Sequence, residues 1–136
     1  MTGKFNIRVY GIWILKNRVL VSEEHYKDRI IHKFPGGGLE WGEGTRDCLA
    51  REWKEELNLD IMVTNHFYTT DFFQQSAFDG SQVISIYYLV DADPHAELNN
   101  KMPNERCYWI DISALTATTF TLPIDQHVGS MIIQGY

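Results

Sequence analysis

An α/β (α+β) fold, a mixed β-sheet sandwiched between α-helices, is what this chain predicts, on three observations. Short β-branched and aromatic runs recur along most of its length, one long amphipathic helix interrupts them early, and a second helix comes late. At 136 residues the chain is long enough for one domain with a packed core and too short for two of ordinary size. Residues 1–136 are therefore read as a single domain.

The elements follow in order. Residues 7–15 (IRVYGIWIL) are β-branched and aromatic, and a polar turn over 16–18 leads to Val19, Leu20 and Val21, giving a hairpin. An extended stretch over 29–34 stops at Pro35 and the three glycines Gly36, Gly37 and Gly38. Residues 44–57 contain no proline and mostly good helix formers, so the spacing predicts a helix there. Residues 61–73 and 83–90 read as two further strands with Asp79 and Gly80 in the turn between them. A polar loop over 91–104 precedes a short strand at Tyr108, Trp109 and Ile110, and Asp111 offers an N-cap for a short helix through Ala114 and Leu115. A last helix follows Pro123, because Ile124, Val128, Met131 and Ile132 recur at helical spacing.

Composition narrows the function. With 44% hydrophobic and 22% charged residues the chain is that of a globular protein. No apolar run approaches the roughly 18 residues of a membrane span, and the opening MTGKFNIRVYG lacks the apolar centre of a signal peptide, so no membrane association and a cytoplasmic location are expected. Cys48 and Cys107 lack CxxC spacing and read as buried thiols in a reducing compartment. A net charge of −6 argues against gripping polymeric nucleic acid, which needs a basic footprint. A phosphate ligand would then need positive charge from another source.

The helix over 44–57 carries the chemistry. At about 100° per residue, Leu49, Trp53 and Leu57 share one stripe that packs on the sheet. Glu52, Glu55 and Glu56 form a second stripe beside it, whereas Asp47, Arg51, Lys54 and Asn58 fall in the outward sector. Like charges at these spacings cost roughly 0.2–0.5 kcal/mol per pair, and Lys54 is turned away from them. A solvated helix face is the bland alternative. Oxygen donors without His or Cys partners suit a hard divalent ion such as Mg²⁺, which keeps several waters and bridges to phosphates. The five histidines have no metal-ligand spacing, which argues against zinc.

These residues resemble the Nudix box: Gly37, Glu43, Arg51-Glu52, Trp53, Glu55-Glu56, Asn58 and Leu59 stand at its spacing. Trp53 replaces a small aliphatic on the apolar stripe, and Asn58 replaces the closing glycine, a position that Asn can fill in a left-handed conformation. The flanking Phe34-Pro35-Gly36-Gly37 and the Trp109 strand are similar to the family as well. The resemblance implies the Nudix fold and Mg²⁺-dependent hydrolysis, with Mn²⁺ as an alternative ion, of a small-molecule nucleoside diphosphate linked to another moiety. It leaves the oligomeric state open, with a homodimer as the default.

The roles follow from that resemblance. Glu52, Glu55 and Glu56 are the metal ligands, with the Gly37 carbonyl as a further one, and Glu52 is alternatively the base that deprotonates the attacking water. Glu43 supports the metal site with Arg51 as its orienting partner, so these two join Glu52 and Glu55 in the catalytic set. Family members draw another acid from outside the box, for which Glu105 is the candidate and Glu97 the reserve. Phe72, Phe73, Tyr87 and Tyr88 are expected to fill the core rather than stack on a base. Two other classes compete with the hydrolase: a non-catalytic nucleotide-sugar or phosphate sensor, and an isomerase of prenyl diphosphates. The intact acidic set favours the enzyme over the sensor. The isomerase is disfavoured because no Cys or Glu outside the box is marked for double-bond protonation.

Overall fold

A computed structural model describes residues 3–100 and 102–135. Strand β1 (Phe5–Ile12) comes first and, after a break at Trp13, β2 (Ile14–Leu15) turns into β3 (Arg18–Tyr26). Lys16 and Asn17 in that turn are both left-handed, with φ of 52° and 62°, the conformation whose twist suits a two-residue hairpin. Strands β4 (Arg29–Lys33) and β5 (Gly36–Gly38) lead to α1 (Thr45–Leu57). Next come β6 (Met62–Thr69), β7 (Gln82–Asp91), β8 (Glu105–Asp111), a 3₁₀ turn at Ile112–Ala114, and α2 (Pro123–Ile133).

The expected mixed α+β architecture is present, divided between two sheets. The first has the order β5-β1-β7-β6 and is mixed because β1 and β7 run parallel, with Val9 opposite Ile86 and Tyr10 opposite Tyr87. The second pairs β3 antiparallel with β2, β4 and β8. The strand expected over 7–15 splits at Trp13: the part before it pairs in the first sheet, whereas Ile14 and Leu15 pair with Val19 and Arg18 in the second. Trp13, 1% exposed, lies 4.8 Å from Trp109 and 6.3 Å from Trp53 between ring centroids. Seating that indole in the core carries the chain from one sheet to the other.

Alternation along β1 separates two cores. Val9 packs with Leu49, Trp53 and Leu57 of α1, while Tyr10 and Ile12 pack with Phe34, Phe120 and Val128 of α2. The two helices therefore cover opposite faces of the first sheet.

Two expectations fail locally. The strand predicted to reach residue 73 ends at Thr69, after register shifts between Val63 and Asn65 and between His66 and Tyr68. Thr70 then bonds Ser85 through both its N–H and its hydroxyl, and the chain leaves the sheet. Phe72 and Phe73 consequently lie exposed, at 41% and 70%, instead of in the core, while Tyr87 and Tyr88 are buried as expected. Asp111 stands at the start of the short turn but makes no capping hydrogen bond; its carboxylate pairs with Arg18 at 3.1 Å, and the helix expected through Leu115 shrinks to one 3₁₀ turn.

Trp53 seats α1. It is fully buried and donates its indole N–H to the Pro35 carbonyl at 3.1 Å. Truncating such a side chain typically costs about 3–5 kcal/mol. Gly11 of β1 makes the seat: a methyl group there would come within 2.8 Å of the Trp53 ring. Gly11→Ala is expected to destabilise the protein by about 1–3 kcal/mol in urea unfolding through overpacking, whereas an unchanged midpoint would mean that Trp53 shifts freely.

Candidate active site

Helix α1 ends as its sequence anticipates: Asn58 is left-handed, with φ of 52°, and its N–H returns to the Lys54 carbonyl at 3.0 Å. Leu49, Trp53 and Leu57 are buried along the predicted stripe, joined by Cys48. That rotation of the helix separates the three glutamates. The Glu55 side chain is 57% exposed, the Glu52 side chain only 15%, and Oε2 of Glu56 is buried without a hydrogen-bond partner among the described residues.

Glu52 reaches β5. A Cβ on Gly37 would sit 2.5 Å from the Glu52 carboxyl carbon, so only glycine lets the strand pass this close to the acid. Burial pushes the Glu52 carboxyl above its ordinary pKa, with Arg51 opposing.

Arg51 is not the outward residue that the helical wheel predicts. It donates to Glu43 from Nε at 3.0 Å and from Nη2 at 2.7 Å, and from Nη1 to Glu52 at 3.0 Å and Glu55 at 3.3 Å. The wheel places only the Cα–Cβ vector, whereas the long arginine stem folds back over the acidic stripe. The guanidinium therefore relieves the like-charge repulsion between Glu52 and Glu55. Glu43 lies one residue before the N-cap Gly44 and also accepts the Glu40 N–H at 2.9 Å. Arg51, then Glu40, hold its carboxyl down to about 2, and the guanidinium is raised in return, first by Glu43.

Glu56 is the outlier. Burial, then the neighbouring Glu105 charge, push its carboxyl up to about 9, and Lys33 pulls the other way. Glu105 is anchored by the Ser22 hydroxyl, which donates to it at 2.8 Å. Of the two acids expected from outside the box, Glu105 thus stands beside Glu56, while Glu97 is exposed in the loop between β7 and β8. Lys33 is buried and bonded to Glu24 at 3.1 Å. Its ammonium is raised overall: burial lowers it, but Tyr10, Glu105, Glu24 and Glu56 outweigh that.

A cleft of about 280 Å³ opens beside this cluster, with a floor from β1 and β7, one wall from β3 and β4, and the other from residues 74–79 and the start of α2. Arg8 and Lys33 line it, and Arg8 lies within electrostatic reach of Glu52. Asp125, 3% exposed, also lines the cleft and accepts the Tyr87 hydroxyl proton at 2.6 Å. Sequence reasoning missed Arg8, Lys33 and Asp125. Arg8 interrupts the apolar run of β1, and Asp125 falls between the apolar positions of α2, signals that could have marked them.

Among the described residues no group of three His, Cys, Asp or Glu side chains converges as a ready metal cage. The donors nevertheless suit a hard ion: Glu56 has a buried oxygen with no partner, and Glu52 faces the glycine strand. Mg²⁺ asks for only one or two carboxylates, completing its shell with waters and phosphates.

The NUDIX domain family matches residues 5–128. The chain is 33% identical over 122 residues to nucleoside diphosphate-linked moiety X motif 6 of Mus musculus, covering 87% of this chain and 38% of that protein. It is 30% identical over 95 residues to an mRNA-decapping protein of Fowlpox virus, covering 67% of this chain and 42% of the viral one. The chain thus spans well under half the length of these relatives. In three dimensions it resembles the E. coli ORF135 protein, with a TM-score of 0.78 at 19% identity over 97% of this chain and 91% of that one. A MutT protein from Methanosarcina mazei superposes with a TM-score of 0.78 at 16% identity, covering 99% and 97% of the two chains.

Burial raises the Asp125 carboxyl to about 6, with Tyr87, Lys33 and Arg8 opposing. Between the ordinary carboxylate range and about 6 the folded state then holds a proton that the unfolded chain has lost, so stability falls as pH rises through that window. Asp125→Asn keeps an acceptor for Tyr87 and removes the ionisation. Chemical denaturation should find the variant more stable than the parent by about 1–3 kcal/mol at neutral pH, with the gap closing below pH ~4; a constant gap at all pH values would refute this.

Proposed function

This chain belongs to the NUDIX domain family, and on that premise we propose that it is a Mg²⁺-dependent pyrophosphohydrolase of a nucleoside diphosphate linked to another moiety. Residues 1–136 act in this reading as one catalytic domain in the cytoplasm. The observation behind this reading is the buried Glu56 oxygen that has no hydrogen-bond partner among the described residues, within electrostatic reach of Glu52 and Glu105 and near a cleft lined by two cations. A carboxylate oxygen left without a partner costs roughly 1–3 kcal/mol or more, which a bound cation would offset. Relatives named for nucleoside diphosphate-linked moieties and for mRNA decapping support phosphoanhydride substrates.

Glu55 and Glu56 would hold the ion together with the Gly37 carbonyl, Glu52 being the base in place of a third carboxylate ligand, and Mn²⁺ would serve in place of Mg²⁺. The ion, when bound, makes a coordinated water easier to deprotonate and stabilises charge on phosphoryl oxygens. The protein's own groups do the rest. Arg8 and Lys33 neutralise the diphosphate from the cleft side, supplying positive charge that the net −6 of the chain obscures. Glu52, held against the glycine strand, takes the proton from the attacking water as the new P–O bond forms and the bridging P–O bond breaks. The products are a nucleoside monophosphate and the phosphorylated second moiety. Arg51, clamped by Glu43, orients the carboxylates of Glu52 and Glu55, and Glu105 adds the acid from outside the helix.

The test is a panel of nucleotide sugars, dinucleotides, nucleoside triphosphates and ADP-ribose, with and without Mg²⁺, with products resolved by mass. Metal-dependent release of a monophosphate is expected. Glu56→Gln should lower kcat/KM by at least about a hundredfold while its thermal midpoint stays level, because a carboxyl raised to about 9 already holds a proton at neutral pH and the amide replaces one neutral group with another. Turnover by the variant at the parental rate would remove Glu56 from the site. Silence of the parent across the panel, with thermal stabilisation by one compound, would favour a sensor.

A further inference from the structure

The walls of the cleft run outward in two-residue steps from its cations. Along β1, Asn6 lies about 7 Å beyond Arg8; along β3, Tyr26 lies equally far beyond Glu24, and all four line the cleft. At that outer end the Tyr26 ring meets Phe78, which projects from the connection over residues 70–81, edge to face at 4.9 Å. Arg29 covers Phe78 at 5.4 Å and Lys27 covers Tyr26 at 5.3 Å. Among the described residues no hydrogen bond or ion pair joins residues 23–30 to residues 70–81, so these ring contacts alone tie the hairpin tip to the connection. The connection itself is shaped from within: Asp79 accepts from the Ser81 N–H at 2.8 Å, Ser76 N–H bonds the Ser81 carbonyl at 2.8 Å, and Val83 N–H bonds the Gln74 carbonyl at 2.8 Å.

We propose that Tyr26 and Phe78 form an aromatic clasp across the outer mouth of the cleft that selects nucleoside-bearing ligands by closing on the base. Both residues are partly exposed, at 39% and 43%, so their packing contributes little to the core and part of each stays in solvent beside the cleft, where a planar ligand can displace the ring contact. The cations stacked on them lie on the side of the hairpin, which favours a ligand that is aromatic and also carries negative charge. Opening the clasp breaks one ring pair and the Arg29 contact on Phe78 but no hydrogen bond, so admission of a base is cheap and its retention depends on stacking. The clasp rests on the pyrophosphohydrolase reading for its ligand class, since that reading puts the diphosphate beside Arg8 and Lys33 and leaves the base to extend outward.

The experiment is binding calorimetry with Mg²⁺ of ADP, GDP, CDP and UDP in turn, each against inorganic pyrophosphate, for the parent protein, Tyr26→Ala, Phe78→Ala and the conservative Tyr26→Phe. The parent should prefer nucleoside diphosphates to pyrophosphate. Each alanine variant should weaken nucleotide binding about tenfold, as expected where an aromatic stacks on a base, with pyrophosphate affinity unchanged, and Tyr26→Phe should retain the parental preference. An unchanged nucleotide-to-pyrophosphate ratio in both alanine variants, or an equal loss for both ligand kinds, would overturn the clasp and leave the hydrolase standing. A parent that binds neither ligand would overturn both.

Discussion

The seating of Trp53 in the core is the constraint on which the rest of the site depends. Its ring rests over Gly11 and its N–H is fixed to the Pro35 carbonyl, so α1 has one allowed rotation about its axis. With Leu49, Trp53 and Leu57 turned into the core, Glu56 has nowhere to go but inward, and Glu52 must lie against Gly37. The burial of the two acids is thus a by-product of apolar packing that stabilises the fold by about 1.5–3 kcal/mol per large side chain. A lone carboxylate could not drive itself into such a place.

Around that forced burial the charges are arranged unequally. Arg51 serves the acids on the solvent side, tying Glu43, Glu52 and Glu55 into one network, and leaves Glu56 untouched. Lys33 lies on the interior side but is bonded to Glu24 and only moderates the field at Glu56. With Glu105 adding a further negative charge, the interior side carries more acid than base. Such an excess favours either a proton or a cation, and the orphaned oxygen gives the cation a place to bind. The cleft repeats the pattern in reverse: Arg8 and Lys33 bring positive charge to its inner end, where an anionic ligand would meet the acidic cluster.

Much of this was legible in the sequence, and the reason is range. The helix, its apolar stripe, the left-handed Asn58 and the close set of acids are local patterns, fixed by periodicity within a few turns. The Lys16–Asn17 hairpin and the turn of the chain at Gly36–Gly38 are local in the same way. What escaped depends on partners distant in the chain. Trp13 divides one predicted strand between two sheets because it packs against Trp53 and Trp109, and no local pattern announces that. Phe72 and Phe73 look like core residues in an apolar run, yet bulges in β6 and the bonds from Thr70 to Ser85 release them to solvent. Arg51 was misplaced because a wheel records where a side chain starts rather than where a long one ends. Lys33, Arg8 and Asp125 meet in the cleft from three separate elements, so their grouping exists only after folding.

The buried Oε2 of Glu56, partnerless among the described residues, is positioned to hold a divalent cation. Titration calorimetry of Mg²⁺ into the ligand-free protein and into Glu56→Gln, under the same neutral buffer, tests it without recourse to any substrate. The parent should show a saturable Mg²⁺ site that weakens by more than about tenfold in the variant. Equal Mg²⁺ affinity in the two proteins would contradict it and would leave the burial of Glu56 to packing alone.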